Sequence, residues 1–306
     1  MPKRAPLFIA VAFIIVAVLL SEPEKIVSSF LHFRRDLIIP VILLSIANYI
    51  TRFVRWEFLL SGAGIKIQTS KSLLIFFSSF LFSIAPAKSG DLVKVYYLKK
   101  HHQIKYSLSL PVVVLERVYD VIGIVLLIFV SAALYFPQQR LVFIVATSLV
   151  FMLSLFIKPT ADFFLRRINP PFFRKKIAQM KRAFASSEQI FSRKLSFISL
   201  SLGAVAWFFE CIGLYFIVLG FGLSPDIIRE TFVYSASTLG GAISMLPGGL
   251  GATEGGMAYL LSSTAGIVFS TALSITLVIR AFTLWFAVVL GFFANIMLAR
   301  TEPQKK

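Results

Sequence analysis

Residues 227–254 read IIRETFVYSASTLGGAISMLPGGLGATE, an apolar run from Ile227 to Leu246 that breaks on Pro247-Gly248-Gly249-Leu250-Gly251 and resumes as a short helical candidate over about 255–266. Proline lacks the N–H that a helix needs, and glycine loses the most freedom on ordering, so a helix stops here. The flanks are nevertheless too apolar for a surface loop. A backbone broken inside hydrocarbon is tolerated only where protein or a wet cavity satisfies it, which makes the stretch a candidate re-entrant hairpin. A second stretch has the same form: Ser70 to Pro86 is apolar, ends in Pro86-Ala87-Lys88-Ser89-Gly90-Asp91, and is followed by a short helical candidate over about 91–100.

Around these two stretches lie about six apolar segments long enough to span a hydrocarbon core of about 30 Å, at 6–21, 38–60, 110–136, 140–157, 196–219 and 270–298. The first follows Pro2-Lys3-Arg4 and lacks a small-x-small cleavage pattern, so a retained helix is expected. Of the 306 residues 58% are hydrophobic and 15% charged, with a mean hydropathy of +0.85, which excludes a soluble globular domain. The expected fold is an all-α polytopic membrane bundle, one membrane domain over 1–306. Its halves, about 38–136 and 196–298, are joined by a basic cytoplasmic loop over 158–195.

The formal net charge of +17 sits mainly between the apolar runs, which fits juxtamembrane anchoring beside anionic headgroups and not nucleic acid. Arg166, Arg167, Arg174, Lys175, Lys176, Lys181 and Arg182 place the 158–194 stretch in the cytoplasm by the positive-inside rule, and both termini and Lys88–Lys105 follow it. Arg34 and Arg35 dissent, offset by Glu22, Glu24 and Asp36. These placements agree only if neither broken segment crosses fully: the first enters from and returns to the cytoplasm, the second does so on the outside. A multi-pass protein of the cell membrane is expected.

The hairpins also resemble each other. Ser83-Ile84-Ala85-Pro86-Ala87-Lys88-Ser89-Gly90 matches Ser244-Met245-Leu246-Pro247-Gly248-Gly249-Leu250-Gly251 as Ser-x-x-Pro-x-x-x-Gly, with an acid following in each, Asp91 and Glu254. Gly62-Ala63-Gly64 answers Gly220-Phe221-Gly222, and Leu115-Glu116-Arg117-Val118-Tyr119 answers Val278-Ile279-Arg280-Ala281-Phe282. With helices before the two hairpins running in opposite directions, this is an inverted repeat, and paired Gly/Pro-interrupted segments point to a substrate site near the bilayer midplane.

Charged side chains inside apolar segments mark the candidate substrate site, because each costs roughly 2.5–3.5 kcal/mol at the centre of a membrane helix. Asn48, Arg52 and Arg55 share one helix face; Glu116 and Asp120 share another, continued by Gly123, which allows close approach of a second backbone. Glu210 and Arg280 lie near the middles of their helices. Arg52 with Asp120 and Glu210 with Arg280 are the expected pairs. The structural alternative is an ion-pair network holding helices together, with Arg55 and Glu57 snorkelling to the cytoplasmic interface. The functional reading has Arg52, Arg55, Arg117 and Arg280, with Glu116, Asp120 and Glu210, binding a phosphate-bearing substrate, since guanidinium suits bidentate phosphate contact. The glycine-rich tips, Pro86, Lys88, Gly90 and Asp91 in one hairpin and Pro247, Gly248, Gly249, Gly251 and Glu254 in the other, would add backbone N–H groups from their non-proline residues.

In Arg52 to Trp56 before Leu59-Leu60 and Gly62, the Pro86–Asp91 tip, Glu116-Arg117 with Asp120, Pro247-Gly248-Gly249-Leu250-Gly251 with Glu254, and Arg280, the chain resembles the flippase-like membrane proteins related to the membrane half of lysyl-phosphatidylglycerol synthase. The resemblance spans nearly the whole chain. It implies a flippase-type fold and substrates such as aminoacylated phospholipids or polyprenyl-phosphate-linked sugars; no soluble aminoacyl-transferring domain is present, so translocation without synthesis is implied.

The expectation is therefore transmembrane movement of an anionic lipid or lipid-linked sugar, without catalytic residues, cofactor or metal. Cys211 is the sole cysteine, and His32, His101 and His102 have no ligand at metal spacing. Rival readings are a secondary transporter of a soluble solute or ion, an intramembrane enzyme using Glu116 and Asp120, and a membrane partner of a lipid or glycan synthase.

Overall fold

The computed structural model describes residues 33–85, 90–155 and 192–300. The expected first span at 6–21, the tip residues Pro86 and Lys88, most of the basic loop and the extreme carboxyl terminus lie outside them. Every described element is helical. The first half runs α1 (Ile38–Gly62), α2 (Thr69–Ser78, prolonged by a 3-10 turn over Ser79–Phe82), α3 (Leu92–His102) and α4 (Tyr106–Tyr135). After α5 (Arg140–Leu155), the second half runs α6 (Arg193–Gly220), α7 (Ile227–Ile243), α8 (Ala252–Ala265) and the span Phe269–Arg300, which is α9 (Phe269–Arg280), a π turn (Ala281–Trp285) and α10 (Phe286–Arg300).

Each half therefore has the order long, short, short, long. α1, α4, α6 and Phe269–Arg300 are long and apolar enough to cross a membrane. The short helices fall below the hydrocarbon thickness: α3, with 11 residues, reaches only about 16 Å, and α8, with 14, about 21 Å. Local sequence sets the boundaries. Ser192 caps α6 by accepting from the Leu195 N–H, and Asp226 caps α7 by accepting from the Ile228 N–H. Helix α4 begins at Tyr106, a turn earlier than expected, and carries Pro111 within it.

α1 and α6 pack along their length and run antiparallel. Arg34 N–H donates to the Gly220 carbonyl at 2.9 Å, Asn48 Nδ2 to the Ala206 carbonyl at 2.6 Å, and Arg55 lies against Gly203, so residue numbers rise on one helix as they fall on the other. Asn48 and Ala206 are 158 residues apart, the same offset that relates Gly62 to Gly220. The helices thus meet where a position faces its own repeat equivalent. A twofold pseudo-axis passes there, perpendicular to both helices. The remaining packing obeys the same exchange: α4 packs on α7 of the other half, and α10 packs on α2.

The two ends differ in charge. One gathers Ile65, Ile104, Leu195 and Leu298 around a common apolar core, with Lys66, Lys71, Lys99, Lys100, Lys105, Arg193, Lys194 and Arg300 nearby in sequence. The other gathers Phe33, Phe221, Leu223 and Ile267, and Tyr135 donates there to the Thr264 carbonyl at 2.9 Å. The α2–α3 hairpin begins and ends at the basic end, the α7–α8 hairpin at the opposite one. Their tips meet in the interior, where a Cβ on Gly248 would lie 3.5 Å from Ile84 Cα. Gly123 meets α6 as expected: a Cβ there would stand 3.2 Å from the Ala204 nitrogen.

Candidate functional site

Tip geometry depends on glycine at particular points. Gly248, Gly249 and Gly251 have φ of +62°, +67° and +86°, values that turn the chain sharply from α7 into α8. A side chain on Gly241 would strike Thr253 across the hairpin, and one on Gly90 would strike Phe82. The limbs therefore close directly on each other. Where the tips meet, a cavity of about 110 Å³ is lined by Arg52, Asp91, Arg117, Glu210 and Arg280 together with Tyr49, Tyr234, Trp207 and several hydroxyl side chains.

On the first-half wall one carboxylate gathers three arginines. Asp120 accepts from Arg55 Nη2 at 2.7 Å, Arg117 Nη1 at 3.1 Å and Arg52 Nη2 at 3.3 Å, and also from the Trp207 indole at 3.2 Å. The Arg52 guanidinium lies 5.7 Å from the Trp207 ring and 6.0 Å from Phe80. Arg117 also pairs with Asp91 at the hairpin tip. Behind them Lys94 donates to Glu116 at 2.7 Å, stands 3.6 Å from Asp91, and rests against Trp56 and Phe76. Four cations, Arg52, Arg55, Lys94 and Arg117, thus face three carboxylates, Asp91, Glu116 and Asp120. Arg52 Nε, Arg55 Nε and Nη1, and Arg117 Nε find no acceptor among the described residues.

On the second-half wall Arg280 donates through Nε to Glu254 at 2.6 Å and through Nη2 to the Gly248 carbonyl at 2.7 Å. The other Glu254 oxygen accepts the Gly251 N–H at 2.7 Å, closing the first turn of α8. Tyr234 donates to Glu210. Immediately after Arg280 the helix widens into the π turn, and Tyr49 donates to the Thr283 carbonyl at 2.9 Å. Such turns recur at functional sites.

These placements revise several expectations. Arg52 pairs with Asp120 as read, but Arg280 takes Glu254 as its carboxylate, because the α8 capping turn brings that acid beside it. Arg55 does not snorkel: it is fully buried, since Gly203 leaves room for its guanidinium beneath Asp120. Arg55, Glu116 and Asp120 lie behind the cavity wall, where Asp120 holds Arg52 and Arg117, which line it, and Glu116 faces Arg55 and Lys94. Lys94, Tyr49, Tyr234 and Trp207 join the site without having been singled out; a lysine three residues after the tip acid was the one legible signal. Among the described residues no group of His, Cys, Asp or Glu side chains converges as a metal site.

Residues 7–291 match the model of the Lysylphosphatidylglycerol synthase TM region family. The chain belongs to that family. Its similar proteins include a UPF0104 membrane protein of Methanocaldococcus jannaschii, 29% identical over 73% of this chain and 94% of that one. A second from the same organism is 23% identical over 98% of this chain and 96% of its own, and one from Pyrococcus horikoshii is 24% identical over 95% and 96%. Membership of this family makes the chain a multi-pass membrane protein, in agreement with its four span-length helices.

Proposed function

We propose that this chain translocates an anionic lipid or polyprenyl-phosphate-linked sugar across the cell membrane, without catalysing a chemical change. The observation that carries this reading is the cavity between two broken hairpins, walled by Arg52, Arg117 and Arg280 inside an apolar bundle. Its 110 Å³ holds a group of phosphate size and not a whole lipid, so acyl or prenyl chains would stay in hydrocarbon while the headgroup passes. The family description, naming the TM region of a lipid-modifying synthase, supports the same reading. By the positive-inside rule the end with Lys66, Lys99 and Arg193 is cytoplasmic, as are both termini and the basic 158–195 stretch, and the whole chain acts as one membrane domain. A lipid or glycan synthase is the partner that would supply such cargo.

Lipid copurifying with the protein, extracted and identified by mass spectrometry, tests the proposal. An anionic lipid or lipid-linked phosphate enriched over bulk membrane, and lost in Arg117→Gln, supports it. Enrichment of no lipid, with uptake of a soluble anion into proteoliposomes, would favour the solute transporter.

A further inference from the structure

The two walls of the cavity carry the same device. Asp91 and Arg117 are paired in the first half, Glu254 and Arg280 in the second; each acid precedes its arginine by 26 residues, and each member lies 163 residues from its counterpart. Each acid stands at the start of the second limb of its hairpin, Asp91 immediately before α3 and Glu254 in the first turn of α8. Each arginine sits on the long helix that follows. An ion pair kept in both halves with identical spacing, through a repeat whose other offsets drift, is tied to something both halves do.

What both halves share is the cavity. Arg117 and Arg280 both line it, and in each the guanidinium is engaged by a carboxylate at the start of the hairpin's second limb, where a phosphate of the proposed cargo would bind. A carboxylate and a phosphate compete for a guanidinium in the same geometry. Resting on the anionic-cargo reading, we propose that Asp91 and Glu254 are internal occupants of two equivalent anion sites, Arg117 and Arg280, and that the phosphate of the cargo enters each site by displacing the hairpin carboxylate. Each displacement removes one tie between the hairpin and the long helix, Arg280 keeping the Gly248 carbonyl as a second in its half, so occupancy of one site is coupled to how firmly that half's hairpin is held.

The two sites are not equally easy to open. Asp91, once displaced, keeps Lys94 at 3.6 Å, and the Arg117 side chain is 26% exposed; Glu254 would keep the Gly251 N–H, and the Arg280 side chain is 11% exposed and also holds the Gly248 carbonyl. The first-half site is thus the more exposed of the two, although Arg117 keeps Asp120 at 3.1 Å when Asp91 leaves.

The test is a titration of the purified full chain, in phosphatidylcholine nanodiscs, with dioctanoyl phosphatidylglycerol or with inorganic phosphate, read by tryptophan fluorescence because Trp207 lines the cavity. Asp91→Asn and Glu254→Gln remove the competing charge while keeping shape, and Gln still accepts the Gly251 N–H. Each should bind the lipid about tenfold more tightly than wild type, roughly the effect of one charge-assisted hydrogen bond. The variants lie in different halves, so either one that folds decides. A clamp with only a structural role predicts the opposite sign, since a loosened hairpin binds more weakly. Equal or weaker lipid binding by a folded variant, with wild type binding normally, overturns the displacement and leaves the cargo reading standing. Tighter binding of inorganic phosphate by the variants, with no lipid binding by any protein, keeps the displacement and overturns the lipid cargo. No saturable binding of either probe by any protein overturns both.

Discussion

Asp120→Asn is predicted to be among the most damaging isosteric changes in this chain. The carboxylate accepts from three guanidinium groups and an indole, with the Asp120 side chain only 3% exposed. The surrounding cluster already has four cations against three carboxylates, and the substitution leaves four against two. Removing one member of a buried pair costs about 3–5 kcal/mol, because the partner charge stays buried. For a protein of this size that corresponds to a fall in melting temperature of roughly 10 °C. Thermal unfolding of purified protein in detergent, followed by circular dichroism, measures it. The double variant Arg55→Gln/Asp120→Asn restores the charge difference of the cluster, so its loss should be smaller than the sum of the single losses by about 1–3 kcal/mol. Asp120→Asn melting within about 2 °C of wild type, or strictly additive losses, would refute the view that this carboxylate holds the arginine wall together.

Other predictions follow from particular contacts. Gly241→Ala should destabilise by about 1–3 kcal/mol because the new methyl meets Thr253, whereas the neighbouring Gly240→Ala, with nothing within 4 Å, should melt within 2 °C of wild type. Tyr49→Phe removes the bond to the Thr283 carbonyl at the π turn and should cost about 1 kcal/mol in the same melts. In a Cys211→Ser background, single cysteines at Gln138 and Ser224 should be labelled by an impermeant maleimide from outside sealed cells, and one at Lys66 only after permeabilisation; labelling of Lys66 from outside would reverse the assigned orientation.

The architecture was legible because its signals are local. Pro247 with its glycines ends α7, and the Ser-x-x-Pro-x-x-x-Gly match finds the other hairpin. Arg52 and Arg55 at a spacing of three share a face, as do Glu116 and Asp120 at four. What was not legible depends on contacts across helices. No local pattern distinguishes Glu210 from Glu254 as the carboxylate for Arg280, since the choice is made by how the α8 capping turn docks on α9. The burial of Arg55 depends on a glycine 148 positions away on α6. The π turn at Ala281–Trp285 has no proline or glycine to announce it, and it is stabilised by Tyr49 from the other half.

The most direct test of the central claim is headgroup accessibility of a fluorescent anionic lipid in proteoliposomes, quenched from outside with dithionite at matched reconstitution. Wild type should expose inner-leaflet lipid faster than protein-free vesicles, and Arg117→Gln and Arg280→Gln, folded by circular dichroism, should each slow this by at least about tenfold, the loss of one charge-assisted contact. Equal rates for wild type and both variants would contradict the arginine-walled cavity as the path, and no movement above protein-free vesicles for any anionic lipid tried would contradict translocation itself.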